Sequence, residues 1–521
     1  MGTKKRTSLP KRVHNASKMI RSASYHRLKA IREAKVHSRE CLSWLIVLLL
    51  LLSMLHGDGS IGSPFGILEA TLPYLFPKER APGEPPHRHA YLADIETLHH
   101  STDECGDLLQ IPKVALLFLA TGELFHEPSW RLWLKSAEGM IPSQTVLESI
   151  CGVSNMRSDE TLASASKVCT SKPQEQYQDA EYRNQHLFSI YVHVPPSFQG
   201  FDPQSLWHGK VVRYRVETQW GAHTLVEATR HLLWEAFRDP LNNRFLLLSE
   251  SDIPIYDPLT MYQQLQSEKQ SRLDTCVHDD SSPWRWHPSM ETKRLKFHHW
   301  RKSPQWMALT REHAKVALED REVYRMFERH CWSAWDDEHS RWHRECFSDE
   351  HYFATLLATF DKDSEGVCGS RGVSFTLWES KSAHPRAFNQ DEITMDLIHR
   401  ARDGMKTVRG EPLPSCHWRE AQLEAASLFI SAHVAFDNDS IGDICESLRA
   451  KKPDFTAKMP LTCFLTARKF GRDSVLKVRN LFLHCDQDSG LISRSVCLKE
   501  GGAVCDSIWS HMKAMFYKDI C

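Results

Sequence analysis

The chain has 521 residues and a formal net charge of −1, from 65 Lys and Arg against 66 Asp and Glu. That balance gives no bulk attraction for nucleic acid, and 41% hydrophobic with 10% aromatic residues excludes a largely disordered chain. The length accommodates one large domain of about 350–400 residues and an N-terminal appendage.

The near-zero sum hides an asymmetry. Residues 1–40 carry twelve Lys or Arg against two acidic residues, Glu33 and Glu40. A fifteen-residue apolar run, Cys41 to Leu55, follows at once. As a helix it spans about 22 Å, short of the ~20 residues usual for a membrane span, though thin early secretory membranes tolerate short spans. The expectation is a basic cytosolic tail at 1–40, a transmembrane signal anchor at 41–56, and a luminal remainder. A cleaved signal peptide is the other reading, because HGDGSIGS after the run is small and polar. Fourteen of the fifteen cysteines lie beyond the run, an even number that suits disulfides in an oxidising lumen. No Cys-x-x-Cys pair supports a zinc ribbon. In a lumen, Asn438 of Asn438-Asp439-Ser440 is a glycosylation acceptor. Residues 57–110, with PGEPPHRHA at their centre, read as a stem.

The globular part, 111–480, opens with a buried strand at Lys113–Ala120, followed by Thr121-Gly122. A Trp-bearing helix is expected near Ser129–Ala137. Residues 138–185 are polar and poorly patterned and read as an insertion. A second strand covers Leu187–Val194 and a third Lys210–Tyr214. An amphipathic helix covers Trp220–Asp239. Phe245–Leu248 are four apolar residues in a row, as in a strand buried on both faces of a parallel sheet. The chain turns polar at Ser249–Asp252, and Pro254 cannot continue a central strand. Such a strand end is where open α/β sheets bind ligands. Asp257-Pro258 has the N-cap and N1 residues of a new helix. Beyond the loops of Arg272–Lys296, the pattern predicts a helix over Pro304–Tyr324. Ser348 is then expected to cap a helix Asp349–Phe360 with Phe353, Leu356, Leu357 and Phe360 inward. A strand at Val373–Trp378, a helix at Asp391–Arg402, a strand at Thr462–Thr466 and a Cys-containing extension, 481–521, complete the chain. Strands alternating with helices predict an α/β fold with a mainly parallel central sheet.

Glu350 falls in the first turn of its helix, where the positive end favours an ionised carboxylate. A general base needs that ionisation and a place at the end of an element, although Asp349 and Glu350 would also serve simply as capping charges. Arg468 and Lys469 follow an apolar strand and are either a cation pair able to stabilise negative charge or a solvated basic pair. Glu250 and Asp252 can accept paired sugar hydroxyls. Asp361–Asp363, Asp437–Asp439 and Asp486–Asp488 read as loop charges rather than metal ligands, as do Asp336–His339 and His278–Asp280. Sixteen Trp are many, and Trp stacks on sugar faces as well as filling cores.

Five blocks stand in order: LLSESDIP (247–254), WRKSPQW (300–306), DEHYF (349–353), Trp378 followed by His384-Pro385, and ARKF (467–470). This set resembles the plant and algal branch of the core-2/I-branching β-1,6-N-acetylglucosaminyltransferases, glycosyltransferase family 14, over roughly 112–480. The resemblance implies a GT-A-like nucleotide-sugar-binding fold and an inverting transfer with Glu350 as base. It implies that Lys469, with Arg468, holds the donor diphosphate where most such enzymes use a metal, so no cofactor or metal is expected. His193 and Val194 would border the nucleoside and Glu227 the same pocket. Trp378 would border the acceptor sugar, with core packing the alternative for Trp378 and Val194. The plant branch often carries Cys at the position of Asp252. The expected protein is a Golgi type II membrane glycosyltransferase with a UDP-sugar donor, UDP-GlcNAc by resemblance, and a glycan or glycoprotein acceptor. A xylosyl- or glucuronosyltransferase of the same family, a catalytically silent lectin-like scaffold, and a metal-dependent luminal hydrolase are the competing readings.

Overall fold

The computed structural model describes residues 103–143, 167–169, 185–277, 281–336, 341–367, 372–379, 382, 384–403, 428–432, 463–485 and 490–503. All lie in the second of two units into which the chain divides, Arg80–Cys521. The expected tail and anchor, the stem up to residue 102 and Asn438 lie outside the described residues. The last stretch of the expected stem is not a linker: Glu104–Leu109 is a helix that buries Cys105 and Leu109 in the core. Among the described residues no helix is long and apolar enough to cross a membrane.

In chain order the longer helices are α1 (Glu104–Leu109), α2 (Glu127–Lys135), α3 (Thr224–Phe237), α4 (Pro258–Ser267), α5 (Arg311–Glu319), α6 (Glu322–His330), α7 (Ser348–Ala358), α8 (Met395–Asp403), α9 (Val475–Phe482) and α10 (Arg494–Lys499). The strands are β1 (Lys113–Leu119), β2 (Met140–Pro142), β3 (Phe188–His193), β4 (Asn242–Ser249), β5 (Ile253–Pro254), β6 (Ala308–Thr310), β7 (Ala334–Asp336), β8 (Arg341–Arg344), β9 (Ser374–Phe375), β10 (Phe429–Ser431) and β11 (Thr466–Ala467).

The central sheet runs β3-β1-β4-β6. β1 lies parallel to both neighbours, with Leu116 opposite Ile190 and Leu246, and β6 closes the edge antiparallel to β4. The apolar runs have a simple cause. Val114, Leu116 and Phe118 of β1 enter one core with Trp130 and Trp133 of α2, while Ala115, Leu117 and Leu119 enter a second core with Leu232 and Leu233 of α3 and Tyr352 and Leu356 of α7. Both faces are covered, so neither can alternate with polar residues. The result is a mixed α/β fold with a mainly parallel central sheet, as the strand pattern predicts.

A smaller sheet, β5-β11-β9, adjoins the end of β4, with Thr466 paired to Pro254 on one side and Ser374 on the other. Asp257 caps α4 as expected, accepting from the Leu259 and Thr260 amides at 3.0 and 3.1 Å. Three bridges, Cys105–Cys169, Cys331–Cys346 and Cys485–Cys497, are formed among the described residues. Within the expected insertion, β2 pairs antiparallel with β10. The 481–521 extension docks on α2, with Lys135 Nζ 2.6 Å from Glu500 Oε1 and Leu491 buried in the first core.

Three elements differ from the pattern. Residues 210–214 make one bridge, Val192 to Val211, and then leave the sheet; Arg215 instead donates to the carbonyls of Pro195 and Phe198. The helix expected over 304–324 is a strand and two helices. Ala308–Thr310 completes the sheet edge, and Asp320 ends α5 while accepting from the Val323 and Tyr324 amides of α6 at 3.1 and 2.9 Å. Ser348 does not cap α7. Phe347 occupies that place, and the Ser348 hydroxyl donates to the Cys331 carbonyl at 3.2 Å. Phe353, Leu356 and Leu357 point inward as expected, but Phe360 lies past the helix end and is exposed.

Candidate active site

The parallel strands β1, β3 and β4 end at one edge. There the Ala120 amide donates to the His193 carbonyl at 3.0 Å and the Thr121 hydroxyl reaches Glu250 Oε1 at 3.3 Å. Burial pushes the Glu250 carboxyl up, with the Arg468 charge opposing. His193 is buried and its Nε2 accepts from the Val216 amide at 3.1 Å, which ties the 213–219 segment to the strand end. Burial first, then His231 and Arg215, lowers it to about 3, so the ring is neutral at physiological pH. Val194 is fully buried and packs in the core. Glu227 sits half-buried in the first turn of α3.

Asp252 and Glu250 look alike in sequence and are placed differently. Asp252 is 1% exposed. Its Oδ2 accepts from the Ser249 amide and hydroxyl at 2.9 and 2.5 Å, and its Oδ1 from the hydroxyls of Ser374 and Thr466 at 2.5 and 3.2 Å. Arg468 Nε adds a charge at 3.8 Å. With its lone pairs taken by β4, β9 and β11, Asp252 pins the two sheets together instead of presenting oxygens to an acceptor sugar.

Asp252 also lies beside one of the two cations, Arg468. The Arg468 guanidinium lies 4.4 Å over the Trp306 ring. Lys469 is half-buried and its ammonium is lowered by burial and by Arg468, with Glu250 opposing. Arg468, Lys469 and Glu250 therefore feel one another at the end of β4.

The second centre is the start of α7. Glu350 is 35% exposed by side chain, and its Oε2 accepts from Arg285 Nη1 at 2.5 Å. Arg285, 9% exposed, also binds Glu345 and lies 4.5 Å over the Phe347 ring. Asp349 is half-buried, yet its Oδ1 is sealed from solvent and has no partner among the described residues. Burial, then the Glu350 charge, pushes the Asp349 carboxyl up to about 7. His351 is buried, stacked on Trp300 at 4.2 Å, and donates from Nδ1 to the Arg301 carbonyl at 2.7 Å.

The WRKSPQW segment joins the two centres. Trp300 and Arg301 hold His351, the Ser303 amide donates to the Glu350 carbonyl at 2.8 Å, and Trp306 carries Arg468. Two residues, Pro304 and Gln305, separate Ser303 from Trp306, so the span is at most about 11 Å of extended chain. The Glu350 backbone and the Arg468 guanidinium thus sit at two ends of one short segment. An aromatic wall extends from the carboxylate: Phe347 meets Trp220 at 5.0 Å, and Trp220 meets His384 at 4.9 Å. Gly221, at φ +69°, makes this approach possible, since a Cβ there would lie 2.5 Å from Phe347. Trp378, six residues before His384, is 46% exposed and so is not a core residue.

Asp363 of the Asp-x-Asp triplet at 361–363 accepts from Arg301 Nη2 at 2.9 Å; the other two triplets lie outside the described residues. Arg285 and Glu345 are site residues that the sequence reading passes over. Arg285 sits in an irregular Trp- and His-rich loop without periodicity, and its pairing spans 60 to 65 positions.

Two findings from other proteins bear on this geometry. Residues 170–402 match the family model of the Core-2/I-Branching enzymes. That span includes four of the five blocks and leaves out ARKF. The chain is also 29% identical over 319 residues to "Glycosyltransferase BC10" of Oryza sativa subsp. japonica, covering 57% of this chain and 69% of that protein.

Proposed function

Because the chain belongs to the core-2/I-branching enzyme family and is a glycosyltransferase of that family, we propose that it transfers N-acetylglucosamine from UDP-GlcNAc to a hydroxyl of a glycan. The anomeric centre inverts and no metal takes part. The observation that carries this reading is the partly exposed Glu350 carboxylate at the first turn of α7, on a residue whose backbone is joined by one short segment to Arg468, the chain neighbour of Lys469.

The steps follow from the charges. Glu350 accepts the proton of the acceptor hydroxyl. The freed oxygen attacks the anomeric carbon from the face opposite the diphosphate, and the bond from that carbon to the diphosphate oxygen breaks. UDP leaves with the electron pair, and Arg468 and Lys469 neutralise the charge that develops on it. Glu250, at the strand end beside the cations, orients sugar hydroxyls, and exposed Trp378 offers a face to the acceptor ring. His193, Val194 and Glu227 shape the nucleoside side from behind, through packing and through the 213–219 segment.

The setting proposed is the Golgi membrane: a single-pass type II chain with residues 1–40 cytosolic, 41–56 as anchor, and the catalytic part luminal. The basic block before the apolar run and the three disulfides support it. A panel of UDP-GlcNAc, UDP-xylose and UDP-glucuronate, offered to the detergent-solubilised chain with and without EDTA, tests the reading. UDP release from UDP-GlcNAc that survives EDTA is the expected result. Release from another donor moves the chain to a different sugar within the family. Loss with EDTA restored by manganese ends the metal-free proposal, and no turnover of any donor favours a silent lectin-like protein.

A further inference from the structure

The proposal concerns how the Glu350 carboxylate is held, and it rests on the reading of Glu350 as the base. One guanidinium addresses three acceptors. Arg285 Nε donates to Glu345 Oε1 at 2.8 Å, Nη2 binds the same oxygen, Nη1 donates to Glu350 Oε2 at 2.5 Å, and Nη1 also faces His351 Nε2 at 3.3 Å. His351 can accept because its Nδ1 donates to the Arg301 carbonyl, which fixes the tautomer. The Phe347 ring closes one face of the guanidinium at 4.5 Å. A planar group with several fixed donors matches this set; a lysine ammonium lacks the flat fork that meets Glu345 through two nitrogens while a third faces Glu350.

We infer that Arg285 is a positioning residue that aims the Glu350 carboxylate, and that Glu345 holds the guanidinium in place and stays its partner while Glu350 carries the acceptor's proton. A lone Arg–Glu pair would cost basicity, because protonating the carboxylate strands the cation beside a neutral acid. Here the second carboxylate takes over as counter-charge at that moment. The arrangement reconciles two needs of a general base: ionisation before the step and ready protonation during it. The other charged or titratable groups around Glu350 are Asp349 and His351 on its own helix and Lys302 on the segment that supports it. Burial lowers His351 to about 3, so it stays neutral. Asp349, pushed up to about 7, is half-ionised near neutrality and adds a partial negative charge beside Glu350.

The test compares Arg285→Gln, Arg285→Lys, Glu345→Gln and Glu350→Gln in the full chain. Turnover of UDP-GlcNAc with p-nitrophenyl galactoside, N-acetylgalactosaminide and xyloside is followed across pH, alongside UDP affinity and thermal midpoint. Arg285→Gln is expected to lower kcat about 10–100-fold, a part of the 10²–10⁴ that a base supplies. UDP affinity should stay unchanged, and the acid limb of the rate profile should move to higher pH because the carboxylate has lost its cation. Arg285→Lys should return the limb toward its parent position while recovering only part of kcat. Glu345→Gln should move the limb the opposite way, since Arg285 then serves Glu350 alone. Parent-like kcat and limb in Arg285→Gln, beside an inactive Glu350→Gln, would overturn the inference and leave the base assignment standing. A fall in thermal midpoint with the limb unmoved would reduce Arg285 to a structural role and overturn it equally. A Glu350→Gln variant with parent activity removes the base reading and this inference with it.

Discussion

Asp252 and Glu350 are both carboxylates beside an arginine at the end of a secondary element, and their surroundings differ in every other respect. Asp252 receives four hydrogen bonds from three strands and is 1% exposed. Glu350 has one close cation and 35% exposure. A saturated, sealed carboxylate has nothing left to offer a substrate, and its removal strands its donors. A carboxylate with one partner and an open side can exchange that partner for an acceptor hydroxyl. The contrast separates holding a site together from acting in it.

The largest effect should come from the open carboxylate. Glu350→Gln keeps the shape and removes the proton acceptor, so transfer should fall on the order of 10²–10⁴-fold, with folding and UDP affinity retained. Single-turnover transfer beside UDP titration measures both. Parent-rate transfer would return Glu350 to a helix-capping charge and send the search for the base to Glu250 and Asp349.

The sealed carboxylate should behave in the opposite way. Asp252→Ala leaves Ser249, Ser374, Thr466 and Arg468 facing a void, and breaking a buried pair costs about 3–5 kcal/mol. The expected result is a large loss in urea midpoint, with activity lost through unfolding. A stable Asp252→Ala protein with a raised acceptor KM would restore the direct sugar contact that the sequence suggested for this residue.

The two carboxylates also show what a sequence can carry. The strand end at Ser249–Asp252, the capped start of α4, and Glu350 in the first turn of a helix are local patterns, and each is found where the pattern puts it. The different roles of Glu250 and Asp252 are not local, because Ser374 and Thr466 reach Asp252 from positions 122 and 214 residues away. Arg285 escapes for the same reason. The edge strand Ala308–Thr310 has the pattern of a helix because three buried residues leading into a real helix continue its apolar spacing, and a sheet edge only claims them once β4 is in place. Trp378 and Val194 show the limit for packing: each suits a core by composition, and the fold buries only Val194.

Acid should reveal the buried, non-catalytic side of the molecule. Burial above all lowers His126 and His231 to about 4 and His193, His223 and His351 to about 3. Below the ordinary histidine value near 6.5 the unfolded chain takes up protons that the native rings refuse. Stability is therefore complete above that pH and falls as pH drops toward 3–4, by at most about 1.4 kcal/mol per pH unit for each ring. Asp349 has the reverse sign: its folded value is raised to about 7, so it favours the fold at lower pH and offsets one histidine of the five. Urea midpoints at pH 7.5 and 5 check the net direction, and a midpoint that rises on acidification would contradict it.

Lys469→Ala tests the cation side, where a smaller change is expected. The diphosphate proposed as its partner is charged before and during transfer, so UDP affinity should weaken about tenfold, which is about 1.4 kcal/mol, together with a slower transfer step. Unchanged UDP affinity would detach Lys469 from the diphosphate and leave Arg468 to carry it.

The smallest effect belongs to Trp378. Its ring is 46% exposed and its Nε1 donates to the Thr376 hydroxyl at 3.1 Å, so the indole is oriented without being packed. Trp378→Ala should leave the thermal midpoint within error, because surface substitutions cost little. Stacking on a sugar face, taken at the ~0.5–1.5 kcal/mol of an aromatic pair, predicts a two- to tenfold rise in acceptor KM (about 1.4 kcal/mol per tenfold), with UDP affinity unmoved. Trp378→Phe should recover most of it. Since Val194 is buried at the end of β3, Val194→Ala should do the reverse: a lower midpoint through the cavity it leaves, with acceptor KM unchanged. If Trp378→Ala lowers the midpoint and spares KM, the ring is a packing residue despite its exposure, and the acceptor face must be sought along Trp220 and His384 instead.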